Sequence, residues 1–332
     1  MAILVNGGAG YIGSHTCVQL LNAGYDIVVA DNLVNSDERV IGQIKKITGK
    51  EFPFYSYDLK DDSNVKKLFT SHNIDTAIHF AALKSVAESV ADPLIYYENN
   101  LVSSMNLIKT MSNYNVRSIV FSSSACVYGD SEQLPFSEDC LLRPVHPYGI
   151  TKMITEKILQ DVYNADPRWR IAILRYFNPI GAHESGLIGE NPRKASANLM
   201  PHIINAALGK TDGIVIYGDD YNTKDGTGIR DYLHVEDLAV GHIAALKKIK
   251  ETPGVYMYNL GTGSGHSVMD LIQTFEKVNN VKVPYRIQAR RDGDAAASYA
   301  DVSKAEKELG WAAKKTLEEM CRDAWNYAKN KK

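Results

Sequence analysis

Tyr148 and Lys152 stand four positions apart in the stretch PYGITK, residues 147–152. On a helix that spacing puts both side chains on one face. A free phenol titrates near pH ~10 and is a poor base at neutral pH. Bringing it to about 7 takes roughly 4 kcal/mol of preferential stabilisation of the phenolate, at ~1.4 kcal/mol per unit. A neighbouring ammonium favours the phenolate, which would make Tyr148 a proton carrier. The bland alternative is a packed tyrosine and a solvated helix lysine. Taken alone, the pair does not decide between the two.

A second stretch sharpens the choice. VNGGAGYIG, residues 5–13, follows an apolar run and sets Gly7, Gly10 and Gly13 in G-x-x-G-x-x-G spacing. A helix pattern, YIGSHTCVQLLNAG, begins at once, with Gly24 placed as its C-cap. Glycines permit a tight turn and let backbone approach a pyrophosphate. The helix N-terminus adds unpaired N–H groups and partial positive charge. Asp31 closes the second apolar run 18 residues after Gly13, where a carboxylate accepts from a ribose 2′-hydroxyl. A plain turn and a surface acid would explain each feature singly; together they point to a dinucleotide. A carboxylate repels a 2′-phosphate, and DNLVNSDER opens with no basic residue to neutralise one, so NAD is favoured over NADP. Asp58 ends the third run in the same way and suits either an adenine edge or an ordinary loop.

The elements that must position these groups alternate. AILVN (2–6), DIVVAD (26–31), FPFYSYD (52–58), TAIHFAA (76–82), SIVFSSS (118–124) and RIAILRYFN (170–178) read as strands, with GVYMYNLGTG (254–263) as one more. Such continuous β-branched and aromatic runs suit parallel strands covered on both faces. Helices are predicted near 12–23, 37–48, 62–71, 93–113 and 149–164, then at 199–209, 235–250, 267–279 and 303–328. The alternation implies βαβ units. The fold class is therefore α/β: a Rossmann-type doubly wound parallel sheet with a smaller α/β C-terminal region. The boundaries expected are 1–178 for the nucleotide-binding domain, with a returning segment near 230–265, and 179–332 for the remainder. Charged residues are 23% of the 332 and the net charge is -2, without the basic footprint of a nucleic-acid binder. No apolar run approaches the ~20 residues of a membrane span, and the start enters a strand pattern at once, leaving no room for a secretory signal. Cys17, Cys126, Cys140 and Cys321 form no C-x-x-C pair. Reduced thiols in a cytoplasmic protein without a metal site are expected.

GGAGYIGSH, DNLVNS, FAALKSV, SSSACVYG, PYGITK, RYFNPIGAH, DGTGIRDYLHV and RRDGD together resemble the extended short-chain dehydrogenase/reductase superfamily and, within it, the UDP-galactose 4-epimerase family. The resemblance runs from Ala2 to the last helix. It implies an isomerase that inverts C4 of UDP-galactose and UDP-glucose through a transient 4-keto sugar, with NAD kept tightly bound. Tyr148 as phenolate would take the proton of the 4-hydroxyl, the C4 hydride would pass to NAD, the sugar would turn over about its diphosphate link, and both would return on the other face. Lys152 would also hold the nicotinamide ribose, and Ser124, at the mouth of the fifth strand, would hydrogen-bond the reacting hydroxyl.

The same resemblance sets Tyr11 and Ile12 at the pyrophosphate beside Gly7, Gly10 and Gly13. It sets Asp31, Asn32, Leu33, Val34, Asn35 and Ser36 around the adenine ribose, with Asp58 and Leu59 at adenine. Phe80, Ala81, Ala82, Leu83, Lys84, Asn99 and Phe177 complete the cofactor site. For the sugar nucleotide it nominates Lys84, Ser124, Tyr148, Asn178, Asn198, Leu199, Tyr217, Arg230, Tyr232, Arg291 and Asp294. A diphosphate suits the guanidiniums of Arg230 and Arg291, although either arginine by itself could be a surface ion pair. Asp294 could accept from a ribose hydroxyl.

Three departures stand out. Asn6 replaces the family's usual threonine and is expected to hydrogen-bond locally. Cys126 replaces a threonine that could touch substrate. Ser298 stands where members restricted to unacetylated hexoses tend to carry tyrosine, four residues after Asp294. A small residue there leaves room for UDP-GlcNAc and UDP-GalNAc, unless Tyr299 or a loop shift fills the space. A nucleotide-sugar 4,6-dehydratase is the nearest rival, but relatives of that kind place Asp-Glu where this chain has Ala125 and Cys126. A non-catalytic NAD sensor is the other. Leu94, Ile95, Leu101, Met105, Ile108, Ile154 and Ile158 recur at helical spacing, and the resemblance implies a homodimeric four-helix interface; burial within one subunit is the alternative.

Overall fold

The computed structural model describes residues 1–129, 133–192, 198–291 and 294–331. The first half alternates β1 (Ala2–Asn6), α1 (Tyr11–Asn22), β2 (Asp26–Asp31), α2 (Arg39–Thr48), β3 (Phe54–Ser56), α3 (Asp62–Ser71) and β4 (Ile74–His79). Then come α4 (Val86–Ala91), α5 (Pro93–Tyr97), α6 (Ser103–Asn113), β5 (Ser118–Ser124), α7 (Pro147–Ala165) and β6 (Arg170–Tyr176). The second half holds β7 (Asn178–Ile180), α8 (Leu199–Ala207), β8 (Ile214–Tyr217), β9 (Ile229–Arg230), β10 (Tyr232–His234), α9 (Val235–Glu251) and β11 (Gly254–Leu260). It ends with β12 (His266–Ser267), α10 (Val268–Asn279), β13 (Tyr285–Gln288), β14 (Ala297–Ser298), α11 (Ser303–Leu309) and α12 (Leu317–Asn330).

Seven strands pair in the order β11-β6-β5-β4-β1-β2-β3, all parallel. Side chains alternate across the pleat. Ile3 and Val5 thus pack on one face with Val18 and Leu20 of α1 and Leu238 and Leu246 of α9. Leu4 packs on the other with Leu68 of α3, Leu107 of α6 and Leu159 of α7. The result is a Rossmann-type doubly wound sheet. A third cluster joins α8, α10 and α12 through Ile203, Phe275 and Trp325 over the β8–β13 pair, making the smaller C-terminal α/β region. Among the described residues no helix is long and apolar enough to cross a membrane.

Two predicted helices are interrupted. The stretch 93–113 is α5, a π-helical turn at Glu98–Val102, and α6. The stretch 303–328 breaks after α11, where Gly310 adopts φ +60, a conformation open to glycine. The buried Trp311 indole then donates to the Asp237 carbonyl at 3.0 Å, and the Asp237 carboxylate accepts from the backbone of Lys314 and Lys315. Helix α12 restarts on a capping box of Thr316 and Glu319. Two strands predicted at 52–58 and 76–82 are shorter or shifted, at Phe54–Ser56 and Ile74–His79.

Candidate active site

The glycine loop follows β1 and leads straight into α1. Gly7 has φ +78, and a Cβ there would lie 2.7 Å from the Ala81 nitrogen. A Cβ on Gly13 would lie 2.2 Å from the Gly7 carbonyl oxygen. Side chains are excluded at both positions, so backbone faces the cleft above. The Asp31 carboxylate takes the Ala9 N–H at 3.1 Å, the Leu33 N–H at 2.9 Å and the Ser36 hydroxyl at 2.7 Å. It therefore fastens the loop to β2 besides lining the cleft. Tyr11 turns its phenol away to donate to the Gly181 carbonyl at 2.8 Å.

One cleft is lined by every residue expected at the cofactor except Leu33, Ser124 and Phe177. Leu33 packs on the first core cluster. Phe177 is buried against Phe136. Ser124 accepts from the Cys126 N–H at 3.2 Å. The side-chain-free loop, the helix N-terminus and the carboxylate fit an NAD; Gly10–Gly13 would hold its pyrophosphate, and Asp31 and Asp58 would face its adenosine.

Helix α7 begins at Pro147, with His146 capping the Gly149 N–H at 3.1 Å. It lays Tyr148 and Lys152 on the cleft wall. The Lys152 ammonium, 4% exposed, donates to the Ser122 carbonyl at 2.6 Å and lies 5.9 Å from the centre of the Tyr148 ring. Burial pulls Lys152 down to about 8, opposed by the Glu156 carboxylate. Burial pushes Tyr148 above the ordinary phenol value, and the Ser124 side chain opposes this. The lysine thus does not by itself make the phenol acidic, because dehydration outweighs its field.

Of the residues expected at the sugar nucleotide, only Lys84 and Tyr148 are in the lining of that cleft; outside it Arg230 is in an ion pair with Asp294, the carboxylate expected to meet a ribose hydroxyl. The Arg291 guanidinium stacks 3.8 Å over the Tyr217 ring, an aromatic-cation platform. Asn178 is exposed and Leu199 half-buried, whereas Tyr232 is 3% exposed and packs in the third core cluster. Ser298 pairs with Arg230 between β14 and β9. Paired residues of parallel strands share a face, so Ser298 stands on the Arg230 side. Tyr299 points the other way, against Gly265.

Three residues escaped the sequence reading. Glu190 takes the Lys84 ammonium at 3.0 Å and the Asn198 amide at 2.6 Å across the cleft mouth; no local pattern marks it. Asp231, fully buried, accepts from Thr262, Gly263 and Ala300 and so holds the loop after β11 to the end of β14. Glu156 lies one further turn along from Lys152, a spacing that could have been noticed. Asn6 needs a correction: instead of bonding locally, its amide is fully buried with neither polar atom partnered. Asn6 is the last residue of β1, and both faces of that central strand are covered.

The family model described as GDP-mannose 4,6 dehydratase matches residues 4–324. The UDP-glucose 4-epimerase of Bacillus subtilis (strain 168) is 54% identical over 98% of this chain and 96% of its own length. The crystal structure of UDP-glucose 4-epimerase from Bifidobacterium longum, in complex with NAD+ and UDP, is 49% identical, with TM-score 0.96, covering 100% of this chain and 99% of that one. The UDP-Glc/GlcNAc 4-epimerase of Campylobacter jejuni is 39% identical, with TM-score 0.87, over 99% of each chain. With identity of this extent over the whole length, on the same sheet and around the same cleft, the chain belongs to the UDP-glucose 4-epimerase family.

Proposed function

We propose that this enzyme interconverts UDP-galactose and UDP-glucose by NAD-dependent inversion at C4, and that it also accepts the N-acetylhexosamine pair. The observation that carries the reaction is one cleft in which a side-chain-free glycine loop, Asp31, Lys152 and Tyr148 converge. Bound NAD would supply hydride acceptance and return at C4. Tyr148, as phenolate, takes the proton of the sugar 4-hydroxyl and later gives it back, and Ser124 steadies that hydroxyl. Lys152, fixed on the Ser122 carbonyl, supplies positive charge beside the phenol. Arg230 and Arg291 suit the diphosphate, with Arg230 exchanging Asp294 for the substrate. A dehydratase would need a carboxylate acid and base after β5, and Ala125 and Cys126 offer none.

Ser298 supports the wider substrate range: it stands on the Arg230 face while Tyr299 lies against Gly265 on the other. The Campylobacter jejuni relative bears the name of a UDP-Glc/GlcNAc 4-epimerase. Four free cysteines suit a reducing compartment, and we place the protein in the cytoplasm. Leu94, Ile95 and Met105 are 77%, 49% and 46% exposed on α5 and α6, and a second copy meeting them there would make the homodimer. Ile108, expected on that face, is instead in the subunit core.

The test is incubation with UDP-galactose and no added cofactor. UDP-glucose should form, and Tyr148→Phe should slow it by on the order of a hundredfold or more. A 4-keto-6-deoxy sugar as product, or undiminished turnover by the phenylalanine variant, would refute the reading.

A further inference from the structure

The serine run at the end of β5 grips α7 over two successive turns. The Ser122 carbonyl takes the Lys152 ammonium at 2.6 Å, and the Ser123 hydroxyl donates to Glu156. Tyr148, Lys152 and Glu156 fall at i, i+4 and i+8, on one helix face. Glu156 is 1% exposed. From β6, Arg175 closes on it as a fork, with Nε to Oε1 at 3.1 Å and Nη2 to Oε2 at 2.7 Å. Arg175 is itself held by the Tyr128 hydroxyl at 3.1 Å and the Glu138 carbonyl at 3.0 Å.

A buried ion pair is often no more stabilising than apolar residues of the same volume, so stability alone gives no reason for this one. Its location does. We propose that Glu156, clamped by Ser123 and Arg175, is a positioning residue that holds the Lys152 ammonium charged on its seat beside Tyr148, so that the pH range of proton transfer is set one helical turn behind the reacting groups. This rests on the C4-epimerase reading for the role of Tyr148.

The other groups facing the pair do not substitute for it. Cys126, from the turn after β5, is held protonated by burial. His79 of β4 is drawn down to about 3 by burial and the Lys152 charge, and is neutral. Tyr96 of α5 and Tyr176 of β6 face Tyr148 as neutral phenols, both pushed up by burial. Arg230 lies beyond Cys126 and is cationic. Arg175, on the far side of the Glu156 carboxylate, offsets part of its field. Among the described residues, that leaves Glu156 as the anion acting on Lys152. Burial draws the lysine down to about 8, and the Glu156 carboxylate is the largest influence in the other direction.

The test compares Glu156→Gln with Glu156→Gln/Arg175→Met, the second because the single change leaves a buried guanidinium unpaired. Folding is checked by circular dichroism and NAD retention. Epimerisation of UDP-galactose by the holoenzymes is followed against pH, and the 13Cε resonance of Lys152, assigned by its loss in Lys152→Met, is titrated in parallel. In Glu156→Gln the alkaline limb and the resonance should both move down by about one unit, so that the rate near pH ~8.5 falls on the order of tenfold relative to the unaltered enzyme; in the double variant, which also loses the Arg175 charge, both should move in the same direction by less. Folded variants with an unmoved limb and resonance overturn the proposal, as does an unaltered protein whose Lys152 is already neutral at about pH 7. An unaltered protein inactive on UDP-galactose sinks the functional reading instead, and the resonance still decides the part played by Glu156.

Discussion

The Lys152 ammonium lies 5.9 Å from the centre of the Tyr148 ring and donates 2.6 Å to the Ser122 carbonyl. Lys152 therefore acts on the phenol as a fixed field. At about 6 Å and an effective dielectric near 20, that field is worth about 3 kcal/mol. This falls short of the roughly 4 kcal/mol needed to reach neutral pH, before the opposing effect of burial is added. A second positive charge must complete the activation, and a nicotinamide ring bound in the same cleft has the right sign.

Because Lys152 is drawn down to about 8, turnover should decline as pH rises through that value. The sign for stability is opposite. Between about 8 and ~10.4 the unfolded chain binds the lysine proton more readily than the folded one, so this residue's contribution to stability rises with pH across that window. Below it the full burial penalty stands. Lys152→Met should thus raise the melting temperature at pH ~7 by roughly 2 °C or more, with the gap shrinking towards pH ~10, while turnover drops on the order of a hundredfold. Calorimetry and assay at both pH values check this; a destabilised methionine variant would contradict the sign.

Ser298→Tyr should separate the two substrate pairs. If Ser298 is the gate proposed above, a ring on the Arg230 side of β14 would crowd the sugar C2 substituent. N-acetylhexosamine turnover should fall on the order of tenfold or more, with hexose turnover changing by no more than a few-fold. Equal losses on both pairs, or none on the N-acetyl pair, would remove Ser298 as the gate.

Asn6→Thr should stabilise the protein. The buried amide has an unmet donor and acceptor, each costing about 1–3 kcal/mol in such a setting. A residue of like volume with one hydroxyl lessens that burden. The urea midpoint should rise by an amount worth about 1 kcal/mol with an unchanged slope. A fall in the midpoint would mean that the amide is satisfied by an internal water.

Leu94→Asp with Met105→Glu should convert a dimer to a monomer in light scattering. Both side chains are exposed in the single subunit, so the variants should keep their circular dichroism spectrum. Unaltered protein that is monomeric at assay concentrations would refute the interface.

Local patterns determined a good deal. The apolar runs that became β1, β2, β5 and β6 are continuous because both faces of a parallel sheet are covered. The glycine spacing followed by a helix, with Asp31 beyond, defined the cofactor cleft because turn, dipole and carboxylate are all short-range features. The break at Gly310 was also written there, but the helical periodicity of 303–328 masked it until the Trp311–Asp237 contact showed why the chain turns.

What only the tertiary structure decided are the contacts between segments far apart in the chain. Nothing near Lys152 announces the Ser122 carbonyl 30 residues away. Nothing near Glu156 announces Arg175 from β6, nor near Ser298 the register that sets it beside Arg230. Periodicity encodes which face of an element is apolar. Which polar groups meet beneath that face, and how far burial moves their protons, depends on how the sheet and helices close on one another.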